Sequence, residues 1–558
     1  MKRFLLIAAC SLFAAGMQAQ TTETKNWETK LTGVASHDNL YKNAPTAVDN
    51  AGNTYMTGQF DQAIAIGDAF LEPVANSAYL AKYDANGKSL WAVSLAGAAT
   101  ISCITTDDKN NVYIAGTLAD KVIVGSTDGQ NKDINGKEGE VNKVTSFIAA
   151  YNAEGVLQTV KTIYAETPAS IMESGLYFPD AGYPYFRIQH IEVDGGKLYA
   201  SAIHTGDVAL GDSKWGGAYL NVFDFMYQDI PCAGIISMNA TGLNGETSVA
   251  HVGAVDQISN EQMGYESLNF TVDNGTVYLC FVGNGNIKSE VAGQSETFSF
   301  SYDGPTSSIE HGYVLTSVKN GTEVNTKVLH ATPHTNLASF DIIGGMKVED
   351  GVLYIAGTFQ QQLVFDPSKT ATDACDLYAT ALNKETMDVI WTSVSGVGEG
   401  EGDSMHFCEV FNAMEVNNGE VFLYGYAEEV AGHKLTQTLN FTCSNGQMTK
   451  GSDLFVTGAA INGTTKAVLS ANLENAETSL ATYKVVASGI QSTTALGAHR
   501  VGNTFYFAEP NDIAVYNMQG CMVKRADNAT SISIDDLNRG VYILSNGKDK
   551  MKALKANF

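Results

Sequence analysis

The sequence predicts an all-β protein: a β-propeller of six four-stranded blades, with seven as the alternative, followed by a small C-terminal Ig-like β-sandwich. Three observations predict it. A phrase of two short strands around a tight turn recurs six times, at 46–60, 104–118, 190–203, 269–282, 346–359 and 414–427. Each recurrence leads into a second pair of strands with its own turn, as in AYLAKYDANGKSLWAVSL at 78–95. The 558 residues include 54 Gly, 25 Tyr and only 10 Pro, a composition suited to many short strands and turns. A four-stranded unit cannot bury both faces alone, and stacking such units around an axis covers them.

Taken in order, residues 1–19 read as a signal peptide. Lys2 and Arg3 begin it, Phe4 to Gly16 is apolar, and Gln18-Ala19 precedes a cleavage point at Gln20. The apolar run is too short for a permanent membrane anchor. Ile7-Ala8-Ala9-Cys10 resembles a lipoprotein processing box, but it follows Arg3 closely and the apolar stretch continues past it. Secretion without a lipid is therefore the expectation, and no later segment predicts a transmembrane span.

Residues 20–473 form the repeat region. Asn26 to Gly33 (NWETKLTG) matches Leu90 to Gly97 (LWAVSLAG), so the early Trp27 strand is expected to complete the last blade and close the ring. In the first unit, strand a is Thr46–Asp49, strand b Thr54–Phe60, strand c Ala78–Asp84 and strand d Ser89–Leu95. The Asn86-Gly87 turn between c and d tolerates positive φ at both residues. Later c–d pairs fall at 147–163, 233–252, 313–331, 378–396 and 454–473. Gly58, Gly116, Gly357 and Gly425 recur on strand b, where blade packing or a close ligand would require them. Trp91 and Trp391 on strand d read as core. Residues 474–498 read as a linker and entry strand, and 499–558 as a separate all-β tail.

Two resemblances follow from quoted residues. Asp49, Gly52, Asn53, Tyr55 and Gly58 resemble the D-x-x-GN-x-Y-x-x-G phrase of SBBP-type extracellular bacterial β-propellers, a family that implies a scaffold and not a reaction. In the tail, Val515-Tyr516, Gln519-Gly520, Leu537, Gly540-Val541-Tyr542-Ile543-Leu544, Lys552 and Lys555 resemble the type A C-terminal sorting domain of the type IX secretion system of Bacteroidetes. That resemblance makes Gly520, Leu537, Gly540, Tyr542 and Lys555 the sorting signal. It implies type IX machinery as a partner, and a mature protein that is extracellular or held on the outer-membrane surface.

A net charge of −26 with only five Arg argues against a nucleic-acid partner. Seven Cys remain after the signal, without a Cys-x-x-Cys pair, so one disulfide is compatible but no zinc motif or disulfide framework is. No G-x-S-x-G, H-E-x-x-H or phosphate-binding loop occurs, and no residue pattern calls for a cofactor or a metal. His330 and His334 flank Pro333 in a strand context, which does not suit a helical zinc pair. The acidic loop 398–403 lacks EF-hand spacing.

The longer b–c and d–a connections are expected on one face of the ring, where binding tends to reside. Two of them are aromatic: 164–186 carries Tyr177, Phe178, Tyr183 and Tyr185, and 208–231 carries Trp215, Tyr219, Phe223 and Tyr227. They read either as an exposed patch for a glycan or protein ligand or as a satellite hydrophobic cluster under long insertions. Glu166, Glu173, Asp180, Asp207, Asp224 and Asp229 share these loops. A glycosidase-type carboxylate pair among them would make the chain a polysaccharide-degrading hydrolase or lyase. An adhesion or assembly subunit is the third reading.

Overall fold

A computed structural model of the chain describes residues 20–31, 45–136, 144–177, 184–222, 226–259, 264–301, 310–331, 341–396, 407–429, 434–472, 477–488, 498–517, 522–546 and 550–555, apart from 75, 212, 257, 373, 502 and 539. It falls into two compact units. One is Lys25–Tyr483; the other combines Lys484–Phe558 with the residues before Lys25.

The larger unit is a ring of seven four-stranded antiparallel blades. Strands a to d of blade 1 are Thr46–Val48, Thr54–Phe60, Ser77–Tyr83 and Ser89–Ala96. Those of blade 2 are Ala99–Thr106, Val112–Leu118, Thr145–Tyr151 and Leu157–Ile163. Blade 3 has Phe186–Asp194, Lys197–His204, Cys232–Asn239 and Asn244–Ala254. Blade 4 has Gly264–Asp273, Thr276–Asn284, Gly312–Lys319 and Glu323–His330. Blade 5 has Ile342–Glu349, Val352–Phe359, Asp376–Asn383 and Val389–Val394. Blade 6 has Phe407–Asn417, Glu420–Glu429, Lys434–Ser444 and Gln447–Lys450. Blade 7 has Phe455–Asn462, Thr465–Asn472 and Glu477–Ser488, and Gln20–Leu31 supplies its strand d. Each strand a touches the strand a of the next blade, and blade 7 returns to blade 1.

The blade count is thus the alternative of seven. Residues 454–473, expected as strands c and d of a sixth unit, are strands a and b of a seventh. The sixth blade closes earlier, around Asn445-Gly446, where both residues have positive φ (48° and 80°) as a tight hairpin turn requires. The stretch expected to be a linker supplies strand c of blade 7. The Trp27 strand closes the ring as its repeat suggested: Lys30 Nζ lies 2.6 Å from Glu477, and the Ser479 hydroxyl donates to Glu28 at 2.6 Å.

The repeated phrase has a local cause. The Asp49 carboxylate caps its own turn, accepting from the N–H groups of Ala51 (3.0 Å) and Asn53 (2.9 Å), the Asn53 side chain and the Tyr55 hydroxyl (3.2 Å). Asp107, Asn111 and Tyr113 repeat the arrangement in blade 2. The tryptophans on strand d join blades. Trp27 Nε1 donates to the Ala85 carbonyl of blade 1 at 3.0 Å, and Trp91 Nε1 to Ala153 of blade 2 at 3.1 Å. A Cβ on Gly87 or Gly155, in those c–d turns, would come within 2.7 Å of the indole.

Packing accounts for the strand-b glycines. A Cβ at Gly116 or Gly357 would stand 1.8 Å or 1.7 Å from the carbonyl oxygen of Thr100 or Ile342. In both blades strand a bulges opposite the glycine, at Ile101/Cys103 and Ile343/Gly345. Gly357→Ala must displace that backbone and is expected to cost roughly 1–3 kcal/mol, read as a lower urea midpoint at unchanged slope.

Two of the long b–c connections fold as hairpins that extend a neighbour. Val122–Val124 and Lys132–Ile134, from blade 2, pair onto strand d of blade 1; Asn286–Val291 and Gln294–Ser299, from blade 4, do the same for blade 3. This covers outer strands whose open edges would otherwise recruit another chain.

The smaller unit is an antiparallel sheet of Ala498–Val501, Thr504–Asn517, Met522–Ser533, Gly540–Ser545 and Lys550–Lys555. The long second strand pairs with three others. Phe505, Phe507, Ile513, Val515, Ile532, Ile534, Tyr542 and Leu544 form its core, and Leu537 packs against them. Gly540 pairs with Lys555, and the Tyr542 hydroxyl donates to the Asn538 carbonyl at 2.6 Å. Gly520 lies outside the described residues.

Candidate functional site

The two aromatic connections meet, and among their described residues Tyr177, Tyr185, Trp215 and Tyr219 are buried. Ala165–Glu166 pairs with Asp207–Leu210, which pairs in turn with Ser213–Trp215. Ala218–Val222 pairs with Met226–Ile230. Tyr177 bridges to Tyr227, its hydroxyl donates to Asp229 at 2.9 Å, and its ring meets Tyr219 edge-on at 6.0 Å. Ile171, Tyr177 and Tyr219 form a small core with Tyr227 against it. Trp215 and Tyr185 are buried as well, and the Arg187 guanidinium covers the Tyr185 ring. An exposed patch was one expectation for Tyr177, Tyr185, Trp215 and Tyr219; burial replaces it, because insertions of this length build their own sheets and need a core. Phe178, Tyr183 and Phe223 lie outside the described residues, as do Asp180, Asp224, His334 and the 398–403 loop. Asp207 binds Lys214 and the Gly217 N–H, and His330 binds Glu310, so these groups serve local structure.

What all seven blades share is the axial channel. Its cavity, about 760 Å³, is lined by strand a of every blade or the residues beside it. Charged groups gather on one stretch of the wall. Glu192 of blade 3 accepts from the Val272 N–H (2.7 Å) and Thr271 hydroxyl (3.2 Å) of blade 4, and lies 3.1 Å from His190 Nε2. Lys347 of blade 5 lies 3.8 Å from Glu415 of blade 6. The Glu415 carboxylate holds the Lys347 ammonium above its ordinary pKa, while burial raises that of Glu415 itself. Asn269 donates to the Gly344 carbonyl and Asn412 to Val456, linking neighbouring blades. The recurring phrase passed through these positions without marking them, since polar residues on strand a interrupt no motif.

A third feature lies beneath the blade 3 insertion. His204 stands directly opposite Cys232 on strands b and c, and His251 on strand d is opposite Gly234. The three ligand atoms lie within 4.8 Å of one another. His204 Nδ1 is 2.9 Å from the Gly206 carbonyl, which makes it the protonated nitrogen and leaves Nε2 to face His251 Nε2 at 3.1 Å. Trp215 stacks on both imidazoles and occupies the space over Gly234, where a Cβ would meet its ring at 2.5 Å. Burial lowers the pKa of His204 to about 3 and of His251 to about 4, and raises that of Cys232 to about 12. Spacings of 28 and 19 residues match no metal motif; only the strand register brings the three together.

No family model matches the chain, and no curated protein matches it by sequence. Among solved structures it is similar to β-propeller domains. One is from the Trilobed protease of Pyrococcus furiosus, at 9% identity, covering 81% of this chain and 99% of that one, TM-score 0.36. Another is that of Cps50 (Swd1) from Myceliophteria thermophila, at 7% identity, covering 81% and 99%, TM-score 0.35. A DUF4221 family member from Bacteroides vulgatus aligns at 7% identity over 84% and 99%, TM-score 0.30. The fold is a β-propeller.

Proposed function

We propose that the chain is an exported β-propeller acting outside the cell as a binding or structural surface protein, with its ligand, a glycan or a protein, held at the mouth of the axial channel. The observation that carries the binding reading is the mixed-charge wall of Glu192, Lys347 and Glu415, which converges from three blades where strand packing alone needs no charge. Export is supported by the N-terminal segment, by the tail's resemblance to a type IX sorting domain, and by the buried Cys375–Cys408 disulfide, a bond that persists in oxidising compartments. Binding of the full mature chain to glycan and protein arrays tests the first part. Lys347→Ala and Glu415→Gln are each expected to weaken the specific signal about tenfold or more, and binding unchanged by both would remove the channel as the site. Deleting 499–558 tests the second, and normal surface delivery without the tail would sink it.

Cleavage of a polysaccharide is the second reading. It is favoured by Glu415, whose raised pKa suits a general acid, lying in the same channel as Glu192. Reducing ends released by the parent but not by Glu415→Gln would establish it.

A further inference from the structure

We propose that His204, Cys232 and His251 form a binding site for a thiophilic d¹⁰ cation, Zn²⁺ or Cu⁺, with one coordination position open to solvent. The site is built from strands b, c and d of blade 3, so its three donors ride on paired backbone rather than on loops. Its donor set, two imidazoles and a thiol, is one that such ions prefer.

The distances fit. Two nitrogens bound to one tetrahedral Zn²⁺ at about 2.0–2.1 Å lie about 3.3 Å apart, and the two Nε2 atoms here are 3.1 Å apart. The outer shell fits too. The His204 Nδ1–H is held by the Gly206 carbonyl, which fixes the tautomer that aims the Nε2 lone pair at the site. Glycine makes room beside the donors: a Cβ at Gly253 would stand 3.0 Å from Cys232 Sγ and 3.8 Å from His251 Cε1. A cavity of about 390 Å³ reaches Cys232 and His251 and offers the fourth position to water. At its mouth Lys214 pairs with Asp207 at 2.5 Å and Lys288 with Glu290 at 2.6 Å, so the lysine charges opposing an incoming cation are matched.

Without a cation, two neutral imidazoles this close share one proton between their Nε2 atoms. Binding replaces that proton: His251 shifts it to Nδ1 and stays neutral, while the Cys232 thiol loses its proton to solvent and becomes the thiolate ligand. One proton is therefore released per ion bound, and no electron moves.

The test uses the full mature chain after treatment with a chelator. Zn²⁺, Cu⁺ and Co²⁺ are titrated separately. The proposal expects one tight equivalent of Zn²⁺ or Cu⁺, one proton released, and a thiolate-to-metal charge-transfer band when Co²⁺ stands in for Zn²⁺. Which of Zn²⁺ and Cu⁺ displaces the other gives the site's intrinsic preference between them. Cys232→Ala and His251→Gln are expected to weaken binding at least 100-fold, no less than loss of an outer-shell partner can, whereas Cys280→Ala, a buried cysteine of blade 4, leaves it unchanged. Should the site variants fail to fold, the parent's Co²⁺ spectrum decides. A spectrum without the thiolate band, or uptake undiminished in Cys232→Ala, would overturn the site and leave the two histidines as a hydrogen-bonded pair in the blade core.

Discussion

Replacing Asp49 by Ala is expected to destabilise the propeller by roughly 3–5 kcal/mol, measured as a shift in the chemical unfolding midpoint. Asp49 and Lys82 are both buried, with Nζ 3.1 Å from the carboxylate. Removing Asp49 leaves the ammonium with the Ala153 carbonyl at 3.2 Å and the Tyr55 ring at 5.0 Å, but with no counter-ion among the described residues. Blade 2 supplies the control. Asp107 makes the same turn bonds to Lys109, Asn111 and Tyr113, but Ala150 stands opposite Tyr113 where Lys82 stands opposite Tyr55. Asp107→Ala therefore loses turn bonds alone, expected at about 1–2 kcal/mol. Equal losses in the two blades would show that the buried charge is not what matters. Pairing Asp49→Ala with Lys82→Met should recover most of the difference, because no charge then remains to be solvated.

This contrast also shows what was legible in the sequence. The first two phrases carry Asp, Asn and Tyr at matching offsets, 49, 53 and 55 and then 107, 111 and 113, because each turn closes on its own side chains within a few residues. Local chemistry of that kind leaves a local pattern. Trp27 and Trp91 were legible as repeats for a different reason: each meets the glycine of the next blade's c–d turn, so one inter-blade contact recurs. The seventh blade was harder to read. It is assembled from both ends of the repeat region, and its strand c, Glu477–Ser488, follows no copy of the phrase.

The candidate sites were less legible than the fold. The axial charges sit one per strand on blades 3, 5 and 6, so neither Glu192 nor Lys347 nor Glu415 has a sequence neighbour that marks it. The His204, Cys232 and His251 cluster depends on register across three strands, and a one-residue slip would turn each strand's side chains to the opposite face of the sheet. The aromatic insertions were visible, but composition does not distinguish a tyrosine that binds a ligand from one, such as Tyr219, that closes a satellite core.

Reducing the Cys375–Cys408 bond, or replacing both residues by Ala, is expected to cost about 3–4 kcal/mol. The bond closes a loop of 33 residues, and the chain-entropy estimate for that length is about 3.7 kcal/mol. It joins the start of strand c in blade 5 to strand a in blade 6. The native contacts around it do not depend on it. The Glu409 N–H donates to the Cys375 carbonyl at 3.0 Å, and the Glu409 carboxylate accepts from the Leu377 N–H at 2.8 Å and from the Ser395 hydroxyl. The loss should therefore come mainly from a freer unfolded chain, so it should appear as a lower unfolding midpoint with the folded spectrum unchanged. Cys103, Cys232, Cys280 and Cys443 are buried free thiols, and a reductant changes none of them. The parent in reductant and the Cys375→Ala/Cys408→Ala variant without it should then unfold at about the same denaturant concentration. A parent indifferent to reductant would mean that the two sulfurs are not bonded in solution, and would take away the part of the export proposal that rests on them.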